Sequence, residues 1–205
     1  NFGQEICKVD STSEAIQGLV VTTSEHHVAY TFVAGNVVSA GSFAIESHVE
    51  EGGVGEFHFP VETTMIVDAH APVALGEVSA HPGRAFEGET FHLVWPELGH
   101  FRLRHASLRT GDVDASVVTE EPIEVATDGS AVDVRFGEGL FSLAWHDGAH
   151  VFYGEGPTVR AAASRYVSVP DASVSAGPWI ATTSKLVTWM SGANNVVRRA
   201  IVSCR

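Results

Sequence analysis

Lysine is nearly missing from this chain: Lys8 and Lys185 are the only two in 205 residues. Arginine carries the rest of the positive charge, and against 25 acidic side chains the formal net charge is −13. A surface that negative repels phosphate backbones and anionic lipid headgroups, so neither nucleic acid nor a membrane surface is an expected partner. No apolar run approaches the ~18 residues that a bilayer-crossing helix needs. Cysteine is as scarce, with Cys7 and Cys204 near the two ends. Without C-x-x-C spacing, a cysteine-built zinc site is excluded. If the two were bonded they would close almost the whole chain into one loop, worth roughly 4–5 kcal/mol in the loop-entropy picture. That bond requires the ends to be neighbours; the alternative is two unrelated thiols.

Catalytic signatures are also lacking. There is no G-x-S-x-G nucleophile elbow, no cysteine with a patterned histidine partner, and no phosphate-binding or dinucleotide glycine loop. The glycine-rich Gly52-Gly53-Val54-Gly55 leads into Glu56 and Phe57 of a strand-like run, so it reads as a turn. No H-x-H pair is present for a cupin-like metal site. The expectation is a protein that is not an enzyme and holds no cofactor and no metal. Beginning at Asn1, with no signal-peptide pattern, the sequence reads as a cut or processed product or a piece of a longer chain, such as a polyprotein.

What the chain has in abundance is alternation. Val28, Tyr30 and Phe32 oppose Ala29 and Thr31; Phe101 and Leu103 oppose Arg102 and Arg104; Val132, Val134 and Phe136 oppose Asp133 and Arg135. A period of two means half-buried strands. Such runs recur at 19–23, 27–33, 43–49, 55–59, 63–69, 90–95, 99–105, 115–119, 123–126, 131–136, 140–145, 150–153, 158–162, 166–169, 185–190 and 196–203. Gly, Asn and Asp turns separate them, among them Glu51-Gly52-Gly53, Asp128-Gly129 and Asp147-Gly148. The last two predict hairpins, with type I′ geometry at Asp147-Gly148. Helical patterning is confined to a turn or two at 158–166 and 14–19. The fold class expected is all-β: an antiparallel β-sandwich, jelly-roll-like, with few or no helices. Residues 1–18 read as an N-terminal arm or edge segment and 19–205 as one sandwich domain, with a long loop near 170–178. No internal repeat stands out.

Candidate functional side chains are few. Eleven histidines invite a metal search. His146 and His150 could face each other only around a hairpin tip, with Asp147 as a third ligand, since on one strand they would lie roughly 13 Å apart. Solvated tip histidines are the simpler reading. Glu87 and Glu89 share a strand face beside Phe91 and Trp95, but a glycosidase needs two acids converging across a cleft. Of four tryptophans, Trp145 and Trp189 alternate with apolar residues and are expected in the core. Trp95 and Trp179 border prolines at strand ends and are the candidate ligand-binding pair, for stacking on a glycan. Arg102, Arg104 and Arg109 lack the lysines and exposed aromatics of a nucleic-acid face. Arg198 and Arg199, set against acidic residues gathered at Glu46, Glu50, Glu51, Glu56, Glu62 and Asp68, could make inter-subunit contacts with copies of the chain.

Three functional readings follow. The first is a structural assembly protein, a viral capsid (coat) subunit or surface projection in a virion, whose partners are copies of itself or related coat subunits. The second is a carbohydrate-binding module, extracellular, using Trp95 and Trp179. The third is a glycoside hydrolase on a sandwich scaffold.

Overall fold

The computed structural model describes residues 16–201 except 25, 55–56, 81, 101, 111–116, 126–130, 172 and 182–185. Cys7 and Cys204, and with them the possible disulfide, lie outside the described residues, as do Glu56 and the Asp128-Gly129 turn.

The chain is all-β and antiparallel, as the alternation predicts, and it builds four sheets in sequence order. The first holds β1 (Ile16–Ser24), β2 (His27–Ala34), β3 (Val37–Val54) and β4 (Phe57–Glu77). The second holds β5 (Gly83–Glu87), β6 (Thr90–Pro96) and β7 (Arg102–Arg109), with the short β8 (Val118–Thr119) and β9 (Ile123–Glu124) both paired to β7. The third runs β10 (Ala131–Gly137), β11 (Leu140–His146), β12 (His150–Gly156) and β13 (Tyr166–Pro170). The fourth is β14 (Val174–Ala181), β15 (Leu186–Ser191) and β16 (Val196–Ile201). Within each sheet sequence neighbours are hydrogen-bonded neighbours, as in a meander, except that β9 pairs with β7 and not with β8. A jelly roll instead needs Greek-key crossings between sheets. Short turns after almost every strand leave no length for them.

The sheets stack face to face in chain order. Phe91, Leu93 and Trp95 of β6 pack with Ala29, Val38 and Ala40 of the first sheet. The other face of the second sheet, with Ala85, Val94, Leu103 and Ile123, meets Val132, Val134, Phe141, Leu143 and Trp145 of the third. The far face of the third, with Ala144, Val151 and Tyr153, meets Ile180, Val187 and Trp189 of the fourth. One rule therefore repeats: the aromatic at the end of each second strand points toward the preceding sheet, and the alternate residues face the following one. A sequence repeat underlies it. Phe86, Phe91, Leu93 and Trp95 recur as Phe136, Phe141, Leu143 and Trp145, at matching places in β5–β6 and β10–β11. Identity at so few positions, diluted in the first and fourth sheets, hid the repeat from the sequence reading.

Several local expectations change. The segment 14–19 was expected to support a helical turn, but β1 begins at Ile16, inside the predicted arm. Glu51-Gly52-Gly53 is not a turn: β3 runs through it, paired with Pro60, Phe59 and His58. Beyond Ala44, β2 no longer flanks β3, so Ile45–Val54 and their β4 partners form a two-stranded ribbon about 33 Å long at 3.3 Å per residue. The predicted loop at 170–178 largely belongs to β14. The hairpin expected between 123–126 and 131–136 does not form, because β9 pairs with β7. The Asp147-Gly148 hairpin does form, between β11 and β12, but with His146 opposite Val151 it closes a four-residue loop. Only Gly148 there has positive φ, at 87°; the Asp147 Oδ1 instead accepts the N–H groups of Ala149 and His150. The type I′ requirement is met at Glu138-Gly139, with φ of 54° and 76°.

One short helix, α1 (Val159–Ser164), follows β12, capped by the Thr158 hydroxyl accepting from the Ala161 N–H at 3.1 Å. Val159, Ala162 and Ala163 bury against the core between the second and third sheets. The helix lies so close to β12 that a Cβ at Gly154 would stand 1.9 Å from the Ala162 carbonyl oxygen, and one at Gly156 2.7 Å from Ala161 Cβ.

Candidate functional site: a cleft along the first strands

The first strands of the last three sheets stand side by side. β5 and β10 come so near that a Cβ at Gly83 would lie 2.8 Å from the Val134 nitrogen. β10 is tied to β14 by Asp133, whose Oδ2 accepts the Ile180 N–H at 2.7 Å. Along these strands runs a cleft of about 610 Å³ whose polar and aromatic lining is Arg84, Asp133, Arg135, His146, Ser175 and Trp179.

Alternation explains each position. On β10, Val132 and Val134 turn into the core between the second and third sheets, which sends Asp133 and Arg135 the other way. On β5, Ala85 goes to that core and Arg84 to the cleft, where its Nε also donates to Thr31 Oγ1 of β2. Trp179 lies opposite Thr188 on β15, on the face of the fourth sheet away from its core. It is 44% exposed, the only tryptophan among the exposed large apolar residues of the described chain.

The electrostatics favour an anion. Burial lowers the Arg84 guanidinium to about 10, with Asp133 acting in the opposite sense. It remains a cation at neutral pH. Burial pushes the Asp133 carboxyl up, against the pull of the Ile180 N–H and of Arg135, whose Nη2 lies 3.5 Å from Oδ2. His146 is driven toward its neutral form by burial, and its Nδ1 accepts the Gly148 N–H at 3.1 Å. The cleft thus sets two guanidiniums against one carboxylate that is already engaged by backbone and by Arg135.

The predicted ligand pair separates. Trp179 stands at the cleft, whereas Trp95 is fully buried between the first and second sheets, where a Cβ at Gly76 would lie 3.7 Å from its ring. Its place at a strand end suggested access, but stacking covers both faces of the second sheet. A ring with no exposed surface cannot stack on a ligand. Trp145 and Trp189 are buried as expected. The hairpin-tip histidines do not meet over one point: His150 Nδ1 lies 3.3 Å from Asp147 Oδ2, while His146 serves the Gly148 N–H. Among the described residues no group of three or more potential ligands could hold a metal ion.

The candidate acids are also spoken for elsewhere: Glu87 lies 3.2 Å from His92 and Glu89 3.7 Å from Arg109. Arg102 pairs with Glu124 at 2.8 Å and Arg104 with Glu97 at 3.6 Å, which fits their structural reading. Arg198 is occupied within its own chain. Its Nε lies 3.3 Å from Asp171 Oδ2, and Asp171 also accepts from Trp189 Nε1 and Ser191 Oγ. Those hydrogen bonds, led by Trp189, hold the Asp171 carboxyl down at about 2. Arg199 is exposed and has no ion pair among the described residues.

Sequence reasoning missed Arg84, Asp133, Arg135 and His146 as a group. The available signal was the outward phase of Asp133 and Arg135 in an otherwise apolar strand. What brings Arg84 and Trp179 to them is the stacking of three sheets. Comparison of the chain with protein-family models finds no match, and comparison with curated proteins finds none either.

Proposed function

We propose that this chain is a saccharide-binding module that holds its ligand non-covalently in the first-strand cleft. The observation that carries the reading is Trp179, 44% exposed at a cleft that also presents Arg84 and Arg135. An indole face stacks on the C–H surface of a pyranose, and guanidinium N–H groups donate to hydroxyl or carboxylate oxygens. In a molecule of net charge −13, a cleft with two cations and one engaged carboxylate selects a sugar that bears an acid group. Binding is favoured over hydrolysis because Asp133 is the one acidic residue of the described lining, and retaining or inverting hydrolysis uses two.

Calorimetric titration with uronate-containing oligosaccharides and their neutral counterparts tests this. Wild-type protein is expected to prefer the acidic ligand. Trp179→Ala should weaken binding by about tenfold, the loss of one stacking contact of ~1.4 kcal/mol, and Arg135→Gln should abolish the preference for acid. Absence of binding to either ligand set, or affinity untouched by Trp179→Ala, would contradict the proposal.

Assembly with copies of the chain is a second reading, and the β3–β4 ribbon favours it. Among the described residues no third strand flanks Ile45–Val54, the last ten residues of β3. An isolated two-stranded ribbon is marginal in water, so an arm of this length gains stability where it lies on a neighbour. A coat or projection subunit would use such an arm, though without the jelly-roll likeness that first suggested one.

A further inference from the structure

We infer that the saccharide site continues from Trp179 across the outer face of the fourth sheet to Arg199, which takes a second acid group of the same ligand. The inference rests on the saccharide reading and deepens it: the ligand becomes an oligosaccharide with acid groups on more than one of its residues.

The strand register carries the argument. Trp179 of β14 lies opposite Thr188 of β15, and Thr188 lies opposite Arg199 of β16. The three form one row across the sheet, on the face turned away from Val187 and Trp189, which pack on the third sheet. Neighbouring strands are about 4.8 Å apart, so the row spans roughly 10 Å from β14 to β16. Its start is fixed: the Trp179 ring lies so close to Gly177 that a Cβ there would stand 3.0 Å from Cε3 and Cζ3. In its middle, the Thr188 hydroxyl donates to the Trp179 carbonyl at 3.4 Å, which leaves its oxygen to accept from a ligand hydroxyl. On either side of the row stand apolar register pairs, Leu186 with Ile201 and Met190 with Val197. Val197 is 67% and Ile201 73% exposed. A polar row with apolar flanks matches a saccharide, whose rings present C–H faces between their hydroxyls.

Charge selects what the far end takes. Arg102, Arg104, Arg109, Arg135 and Arg198 each lie within 3.7 Å of a carboxylate oxygen. Arg199 has no such partner among the described residues, and the described residues of β15 and β16 on this face include no carboxylate. Its guanidinium fork is left to take an acid group bidentately. Arg198, one residue away, lies opposite Trp189 on the other face and is held there by Asp171.

Calorimetric titration with a uronate series from monosaccharide to hexasaccharide is the test, on wild type, R199Q and R198Q. Wild-type affinity should rise with ligand length and then level off. R199Q should lose about fivefold in affinity for the hexasaccharide and nothing for the monosaccharide. R198Q removes the same charge from the other face and should follow wild type at every length. A wild type indifferent to length, an R199Q variant that matches it throughout, or an equal loss in R198Q would overturn the inference, whatever else covers the face. The cleft reading survives each of these results as long as Trp179→Ala still weakens the monosaccharide, and falls separately if it does not.

Discussion

At the scale of single residues, the histidine pair between β6 and β7 has the clearest consequence. His92 Nδ1 and His105 Nε2 are 2.9 Å apart, buried, and share one hydrogen bond. Their outer nitrogens face Glu87 at 3.2 Å and Glu120 at 3.1 Å, and the Phe141 ring of the third sheet packs against His92. Burial first, and His105 second, hold His92 down at about 4, against the opposing pull of Glu120. Below pH 6.5 the unfolded chain takes up a proton that the folded one refuses. The contribution is therefore whole above pH 6.5, shrinks as pH falls toward 4, and levels off below. It amounts to something on the order of 3 kcal/mol. Urea unfolding between pH 7 and 4 should show this loss, and the H92L/H105L variant should show a shallower slope over the same interval. An identical slope in the two proteins would exclude the pair as its source. Residue identity was well read where alternation alone decides burial, as for Trp145 and Trp189. It failed for Trp95, whose exposure depends on a neighbouring sheet that no local pattern encodes.

At the scale of elements, the fit of α1 on β12 depends on two side chains that are not there. Gly154 and Gly156 leave the room that the helix backbone occupies, so Gly154→Ala drives a methyl group into the Ala162 carbonyl. The cost expected is at least ~3 kcal/mol, because backbone rather than a yielding side chain stands in the way. Gly137→Ala, where an added carbon meets nothing, should stay within ~0.5 kcal/mol of wild type. Chemical denaturation of both variants checks the pair, and equal stabilities would mean that the helix does not lie on β12. Strand existence was legible over most of the chain, since the period-two pattern is local, but β5 and β14 went unread and the run at 158–162 belongs to α1 and its cap. Pairing partners were less so. The run near residue 123 looked ready to hairpin with β10, yet β9 adds to β7, where Ile123 joins the core between the second and third sheets. The Asp147 turn was found at the right place with the wrong geometry. A side-chain oxygen accepting two N–H groups made positive φ at Asp147 unnecessary.

At the scale of the whole molecule, four meanders stacked in chain order explain both the core and the cleft. Each sheet offers a ladder of large residues backward and smaller ones forward. The second and third sheets are covered on both faces, and their neighbours bring Arg84, Asp133, Arg135 and Trp179 to one line along the first strands. The class of the fold was legible in the sequence, but its order was not: Phe91-x-Leu93-x-Trp95 and Phe141-x-Leu143-x-Trp145 hold the repeat in too few positions to stand out beside ordinary strand composition. Of the candidate site, the sequence singled out Trp179 for a ligand and His146 only for a metal, because Arg84 and Trp179 reach Asp133 and Arg135 from other sheets. Nuclear Overhauser contacts from the tryptophan indoles of the methyl-labelled protein in solution test the stacking most directly. Trp95 should contact Val38, Trp145 should contact Val94 or Leu103, and Trp189 should contact Val151, each reaching the sheet before its own. Contacts from Trp145 to Val187 of the fourth sheet in place of the second would contradict the stack and dissolve the cleft with it.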